Sequence, residues 1–473
     1  MTERRRRKRQ GVKRIDFDAL TQLEPNAAGI DVGGASHWVA VPPHRDERPV
    51  REFSAYTVGL HQIADWLEAC GVTTVAMEST AVLWVPLYEL LEARKIRVCL
   101  VNARHVQNVP GRKSDVLDCQ WLQKLHSYGL LRASFRPDAD FIKLRTYLRH
   151  REVLMQSASA HVQHMQKTLT LMNVQLHVVL TDITGETGMR IIRDIVAGNC
   201  DPVALAEHRD PRCRATKGEI AEALRGEYRD ELLFVLRQAL ELYDRYQQSL
   251  TECDRAIEQL LEQLRANTPG LADLPALPEV KSARRKNSKR RAKEFQPDVR
   301  EALYCITLGV DLTATTGLGD LTVLQLIAEI GTDMNRWPTA KHFVAWTTLA
   351  PSCRITGGKR LTSRRPASSH RVANILRMAA LNAGKSKTAL GAFYRRLAMR
   401  IGGAKAVVAT AAKLARMIYA MLKTKTAFAD PGADIYETRY RNRVVLNLKK
   451  RAAELGYELV TKSATAAPGE AAV

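Results

Sequence analysis

Two aspartates three residues apart, Asp115 and Asp118 in Lys113-Ser114-Asp115-Val116-Leu117-Asp118, restrict this chain more than any other feature. On a helix, positions i and i+3 project from one face. Two further carboxylates stand upstream. Asp31 follows an apolar run in Gly29-Ile30-Asp31-Val32, and Glu78 ends another in Val75-Ala76-Met77-Glu78. Short apolar runs of this kind read as buried strands, so both acids are expected on strands. Four acids brought together need a cation, and hard oxygen ligands select Mg²⁺ or Mn²⁺. The chain carries 72 Lys and Arg against 50 Asp and Glu, a formal charge of +22. The substrate that suits both the ions and the charge is a phosphodiester, so DNA or RNA is the expected partner.

A length of 473 residues allows two or three domains with ample core. No apolar run reaches the roughly 18 residues of a membrane span, so no membrane partner is expected. The first residues, Met1-Thr2-Glu3-Arg4-Arg5-Arg6-Arg7-Lys8-Arg9, are followed by no apolar core and do not form a secretory signal. The eight cysteines include no C-x-x-C pair, which argues against zinc and disulfide frameworks and fits a reducing cytoplasm. His37, His105 and His126 are isolated and read as surface or core residues. Trp38, Trp84 and Trp121 are expected to pack the core.

Six regions are expected. Residues 1–24 form a basic arm. Residues 25–137 alternate strands and helices: a strand over 29–41 or two in succession, a strand at 52–55, a helix over 60–70, a strand over 72–77, a helix over 88–95 and a strand over 97–101. Asp115 and Asp118 follow on a loop-to-helix segment over 106–125. A β-hairpin start followed by αβαβα is the pattern expected of an α/β RNase H-like domain. Residues 138–270 have long helical stripes, suited equally to a dimerising coiled coil and to a bundle within one chain. Residues 271–300 form a basic linker; its run 281–293 includes Arg284, Arg285, Arg290 and Arg291 and is dense enough in charge to suggest nucleic-acid contact. Residues 301–430 form a second, mainly α unit. In it, Thr316-Gly317-Leu318-Gly319-Asp320 precedes an apolar helix ending at Gly331, a helix-hairpin-helix-like element whose amides suit a phosphate. Residues 431–473 are expected as a fraying tail.

With the acids placed, the chain resembles the insertion sequence 110 family of DEDD transposases, which couple a RuvC-like domain, a coiled coil and a C-terminal transposase domain. The contexts Gly-Ile-Asp-Val, Met-Glu-Ser-Thr and Lys-Ser-Asp-Val-Leu-Asp match the family's acids in type and order, at Asp31, Glu78, Asp115 and Asp118. Residues 343–351 look like the segment leading into the family's catalytic loop, here Arg354-Ile355-Thr356-Gly357-Gly358-Lys359. The family's nucleophile is a serine before glycine; this chain has Thr356 there, with Ser352 and Ser363 nearby. Threonine keeps the hydroxyl but adds a methyl that restricts χ1.

The resemblance implies a site-specific recombinase of an insertion sequence, in the bacterial cytoplasm and nucleoid. It would hold Mg²⁺ or Mn²⁺ on the four acids, act as a dimer or tetramer on element ends and target DNA, and be guided by an element-encoded bridge RNA. Attack by the Thr356 hydroxyl would conserve the energy of the broken bond as a protein–DNA ester. Lys113, Arg354, Lys359, Arg360, Arg364 and Arg365 are candidate phosphate contacts. Two other classes compete. A structure-specific, junction-resolving nuclease would use the same acids with water as nucleophile. A non-catalytic scaffold would not need the acids at all.

Overall fold

The small and branched apolar residues around Asp31 in Ala27-Ala28-Gly29-Ile30-Asp31-Val32 build a strand buried on both faces, and the N-terminal unit is assembled around it. The computed structural model describes residues 21–102, 115–278, 298–351, 354–357, 359–362 and 370–460. The chain divides after Arg136 into two units.

In the first unit, β1 (Ala27–Val32) turns back through β2 (Ser36–Ala40) and β3 (Val50–Ser54), then α1 (Thr57–Ala69), β4 (Thr74–Glu78), α2 (Trp84–Ala93), β5 (Arg97–Val101) and α3 (Asp115–Ser127). The strand order is β3-β2-β1-β4-β5. The first three strands pair antiparallel; β1 with β4 and β4 with β5 pair parallel. This mixed five-stranded sheet with flanking helices is the RNase H-like architecture expected from the sequence. The side chains alternate as strand geometry requires. Ala28, Ile30, Val75 and Met77 join Ile63, Leu67, Leu87 and Leu91 of α1 and α2 in one core. On the other face Ala76 and Val101 meet Leu122 of α3. Trp84 and Trp121 pack against these cores, and His37 and His126 are buried, as core residues. His105 lies outside the described residues.

The second unit is mainly helical. Its spine is an antiparallel pair, α4 (Ala139–Leu171) and, after α5 (Leu176–Val179), α6 (Glu186–Val196), α7 (Pro202–Ala206) and α8 (Lys217–Ala223), α9 (Asp230–Ala266). Three cross-contacts fix the pairing. Cys253 Sγ donates to the Tyr147 carbonyl at 3.5 Å. Arg151 Nε donates to Asp254 at 2.5 Å, both side chains buried. His161 stacks on Tyr246 with centroids 5.4 Å apart. The helical stripes of the middle region are therefore satisfied in part within one chain. The four short helices between α4 and α9 were not resolved by the sequence reading. Asp201 before Pro202 caps α7, and Thr216 with Glu219 forms a capping box on α8. Their apolar faces close on a core of Ile191, Ile192, Leu205 and Ile220 with Met165, Leu169 and Leu236 of the long helices.

Next come α10 (Arg300–Ile306), α11 (Asp320–Ile330), α12 (Ala340–Trp346), the hairpin β6 (Arg354–Thr356) and β7 (Lys359–Thr362), and α13 (Arg371–Gly384), α14 (Ala389–Ile401), α15 (Gly403–Thr424) and α16 (Ala433–Glu454). Gly317, with φ of +91°, lies so near α13 that a Cβ there would sit 2.3 Å from the Ala379 carbonyl oxygen. This group is tied to α4 by Arg149, bidentate on Glu329 of α11, and by Arg371 on Glu152 at 2.5 Å.

One departure from the sequence reading is the tail. Residues after Asp430 were expected to fray, yet α16 runs for 22 residues. The Arg396 guanidinium of α14 lies 3.4 Å over the Tyr440 ring and pairs with Glu437, and Phe393 meets Tyr436 edge-on. Aromatic and cation–π contacts thus hold a helix that buries none of its residues.

Removing one partner of a buried ion pair strands the other charge. Asp254→Ala is expected to destabilise the second unit by about 3–5 kcal/mol, measured by denaturant unfolding. A loss below roughly 1 kcal/mol would show that Arg151 re-pairs or hydrates, in the range of surface pairs.

Candidate active site

Gly29 decides where the acids go. A Cβ at this position would lie 2.2 Å from the Cys119 carbonyl oxygen and 2.3 Å from the Gln123 amide nitrogen. Only a glycine lets the backbone of α3 settle on β1 at that separation. Asp31, two residues on, shares the face of Gly29, and Asp118 immediately precedes Cys119 on the helix. Asp31 is legible in this strand from the sequence; Gly29 is less so, its one signal being a glycine inside an otherwise apolar strand.

Glu78 joins them through register. Gly29 pairs with Ala76 and Ile30 with Met77 on the parallel strand β4. Glu78 ends β4 on the same face as Ala76, the face covered by α3. Asp31 and Glu78 therefore stand at the same ends of adjacent parallel strands. The electrostatics agree with this placement. The Asp31 carboxyl is pushed up to about 6, first by burial and then by the negative charges of Asp115 and Asp118. Glu78 is raised by burial, and further by Asp31 and Asp118. Asp31 thus feels Asp115 and Asp118, and Glu78 feels Asp31 and Asp118. Asp115 is exposed at the first turn of α3, while Asp31, Glu78 and Asp118 are half-buried.

Cys119 completes the floor. Its thiol donates to the Val116 carbonyl at 3.2 Å and is pushed up to about 12, chiefly by burial. It is therefore an inert packing group beside the acids. Further along α3, His126 Nε2 lies 2.9 Å from the Thr74 hydroxyl, fastening the helix to the start of β4.

The donor set suits a hard divalent cation: carboxylate oxygens only, with mutual repulsion that a cation would relieve. Among the described residues, no group of three or more His, Cys, Asp or Glu side chains stands close enough together to hold a metal ion. Lys113, the neighbouring candidate phosphate contact, lies outside the described residues.

In the second unit, the expected catalytic loop is a β-hairpin. Thr356 is the last residue of β6, exposed, and pairs across the turn with Lys359, also exposed. Gly357 follows with φ of +56°, a conformation the tight turn requires and glycine supplies. The backbone of Arg354 and Arg360 belongs to the two strands. Ser352, Ser363, Arg364, Arg365, Arg284, Arg285, Arg290 and Arg291 lie outside the described residues.

A transposase family model of the DEDD IS110 type matches residues 28–174, from β1 to just beyond α4. A second, described as the transposase IS116/IS110/IS902 family, matches residues 310–395 and so includes the Thr356 hairpin. The chain belongs to the IS110 family of DEDD transposases. It is a DNA transposase, and DNA is what it acts on. A search of curated proteins finds no match. Residues 175–309 of the transposase, with the four short helices, lie outside both matched stretches, as does α16. No helix among the described residues is long and apolar enough to cross a membrane.

The raised Asp31 carboxyl makes stability depend on pH in a definite sense. A carboxyl whose pKa is higher folded, about 6, than unfolded, 3.8, favours the fold in its protonated form. That contribution is full below about pH 4 and is lost as pH rises to about 6. In chelator, Asp31→Asn should therefore stabilise the protein by about 1–2 kcal/mol at pH 7.5, after allowance for partial exposure. The gain should vanish near pH 4 in thermal melts. An equal gain at both pH values would mean that the acids do not repel.

Proposed function

We infer that this transposase cuts and rejoins DNA with two pieces of chemistry, a carboxylate cluster in its first unit and a hydroxyl in its second. The observation that carries the reading is that three separate elements, β1, β4 and α3, bring acids to one face, where burial and neighbouring charge raise Asp31 and Glu78. A structural role would not favour placing Asp31 and Glu78 where neighbouring carboxylates oppose their ionisation. Asp31, Glu78, Asp115 and Asp118 would hold Mg²⁺ or Mn²⁺, which when bound supplies charge stabilisation to the phosphate undergoing exchange.

The Thr356 hydroxyl is the proposed nucleophile. Its oxygen attacks phosphorus, forming a threonyl phosphodiester and breaking the bond to one deoxyribose oxygen. That oxygen leaves as a hydroxyl, taking up a proton equivalent to the one Thr356 gives up. The reverse attack by a different strand's hydroxyl rejoins DNA without ATP. Support comes from the exposure of Thr356 on a hairpin tip, free of a packing role, beside the cation Lys359. Arg354, Arg360, Arg364 and Arg365 belong to the same reading as further phosphate contacts. So does Lys113 beside Asp115.

The proposed domains are an arm at 1–24, the carboxylate domain at 25–137, the long-helix region at 138–270, a basic linker at 271–300, a transposase domain at 301–430 and a tail at 431–473. An element-encoded bridge RNA is part of the same reading, supported by the family resemblance and by a charge of +22, and the run 281–293 is its proposed contact. A dimer or tetramer follows from the need to cut and exchange several strands together.

The test is expression with the flanking element in cells, rapid denaturation, and mapping of protein joined to DNA. An adduct on Thr356, absent in Thr356→Ala, is the expected outcome. An adduct on Ser352 or Ser363 would move the nucleophile. Free nicked ends with no adduct would replace it by water and favour a hydrolytic, structure-specific nuclease.

Asp118→Asn should lower recombination by about 10³-fold or more while leaving DNA affinity within a few-fold, measured by junction sequencing and by binding isotherms. Retained recombination would remove Asp118 from the reacting centre.

A further inference from the structure

The helix α16 has no role in either piece of chemistry and lies beyond the matched family stretches. Its composition is lopsided. It carries Arg439, Arg441, Arg443, Lys449, Lys450 and Arg451 against Asp434, Glu437 and Glu454, and no acid lies between 438 and 453. Glu437 is taken up by Arg396. The six cations are exposed, and among the described residues none of them forms an ion pair. Elsewhere in the same unit, surface arginines such as Arg149, Arg336 and Arg371 are paired with carboxylates. The cations of α16 are therefore not spent on holding the fold.

They are also aligned. Arg439, Arg443 and Lys450 are spaced four and seven apart, which places them within about 40° on one face. The stripe extends about 16 Å along the axis, enough to follow several phosphates. Arg443 stands near enough to Lys413 of α15 to oppose its charge, so the positive surface continues onto the neighbouring helix. Packing of the helix rests on Tyr436 and Tyr440, whose rings lie against Phe393 and Arg396. With both rings engaged, the helix itself offers no aromatic face for unstacked bases.

We propose that α16 is a phosphate-gripping helix that holds duplex nucleic acid, a contact separate from the strand-joining site. A duplex suits a straight stripe of cations with no base-stacking platform. The shared chemistry is the phosphodiester backbone, and DNA and RNA duplexes both present it.

The experiment uses the full-length chain and fluorescence anisotropy with a DNA duplex, an RNA duplex and a single strand, across a salt series. Three cations that each displace a condensed counterion contribute about 0.9 apiece to the log–log salt slope. Arg439→Ala, Arg443→Ala and Lys450→Ala together should therefore reduce the slope by about 2–3 on the duplex that occupies the helix, DNA, RNA or both. The single strand should lose much less. The double variant Arg439→Lys with Arg443→Lys should retain the wild-type slope, which separates charge from helix unfolding. Unchanged slopes on both duplexes, or an equal loss on the single strand, would overturn the proposal. Leu446 and Leu448 are also exposed, 67% and 50%, and offer the competing explanation of self-association. If Leu446→Gln with Leu448→Gln shifts the sedimentation mass while the cation triple leaves the slopes intact, α16 is an association surface and the proposal fails.

Discussion

The contact between Gly29 and the backbone of α3 is the constraint on which the carboxylate face depends. One missing Cβ lets a helix lie on the central strand. With α3 seated, Leu122 closes the second core on Ala76 and Val101, and His126 reaches Thr74. The same seating carries Asp115 and Asp118 to Asp31. Packing and chemistry are therefore coupled at one backbone approach. Filling the space at Gly29 would disturb the core and the acids together, whereas replacing an acid leaves the core in place.

Much of the first unit was legible in the sequence because its strands are short, apolar and punctuated. The strand over 97–101 is found at Arg97–Val101, and Glu78 closes β4. The acids were legible for a related reason: a carboxylate at the end of a buried strand contradicts its surroundings. Their mutual repulsion was not legible, because it depends on the register of β1 against β4 and on the depth of α3. In the second unit, long apolar periodicity revealed α4 and α9 but not which face meets which partner. The hairpin around Thr356 was read as a loop, since strands of three and four residues carry too little pattern to announce themselves. The helix α16 was hidden by polarity. Its stability comes from ring contacts with α14, a tertiary effect that local composition does not record.

Charge is handled differently in the two units. In the first, like charges are held together at a partly buried site, and stability falls as they ionise. In the second, opposites are matched inside the fold, as in Arg151 with Asp254 and Arg300 with Asp311, both at 2.5 Å, while the cations of α16 stand unmatched on its surface. Matched pairs fix geometry, while unmatched ones leave energy available to a ligand of opposite sign.

The long helix α4 has a mechanical consequence. At 33 residues it is about 50 Å from end to end. Its first half is fastened to α11 and α13 through Arg149 and Arg371, and its far end enters the core of the four short helices. The Arg151–Asp254 pair sits near the fastened end and ties α4 to α9. A tilt of about 5° about that pair displaces the far end, about 30 Å along the helix, by roughly 3 Å. The short-helix cap is thus joined, through one continuous helix, to the elements that flank the Thr356 hairpin.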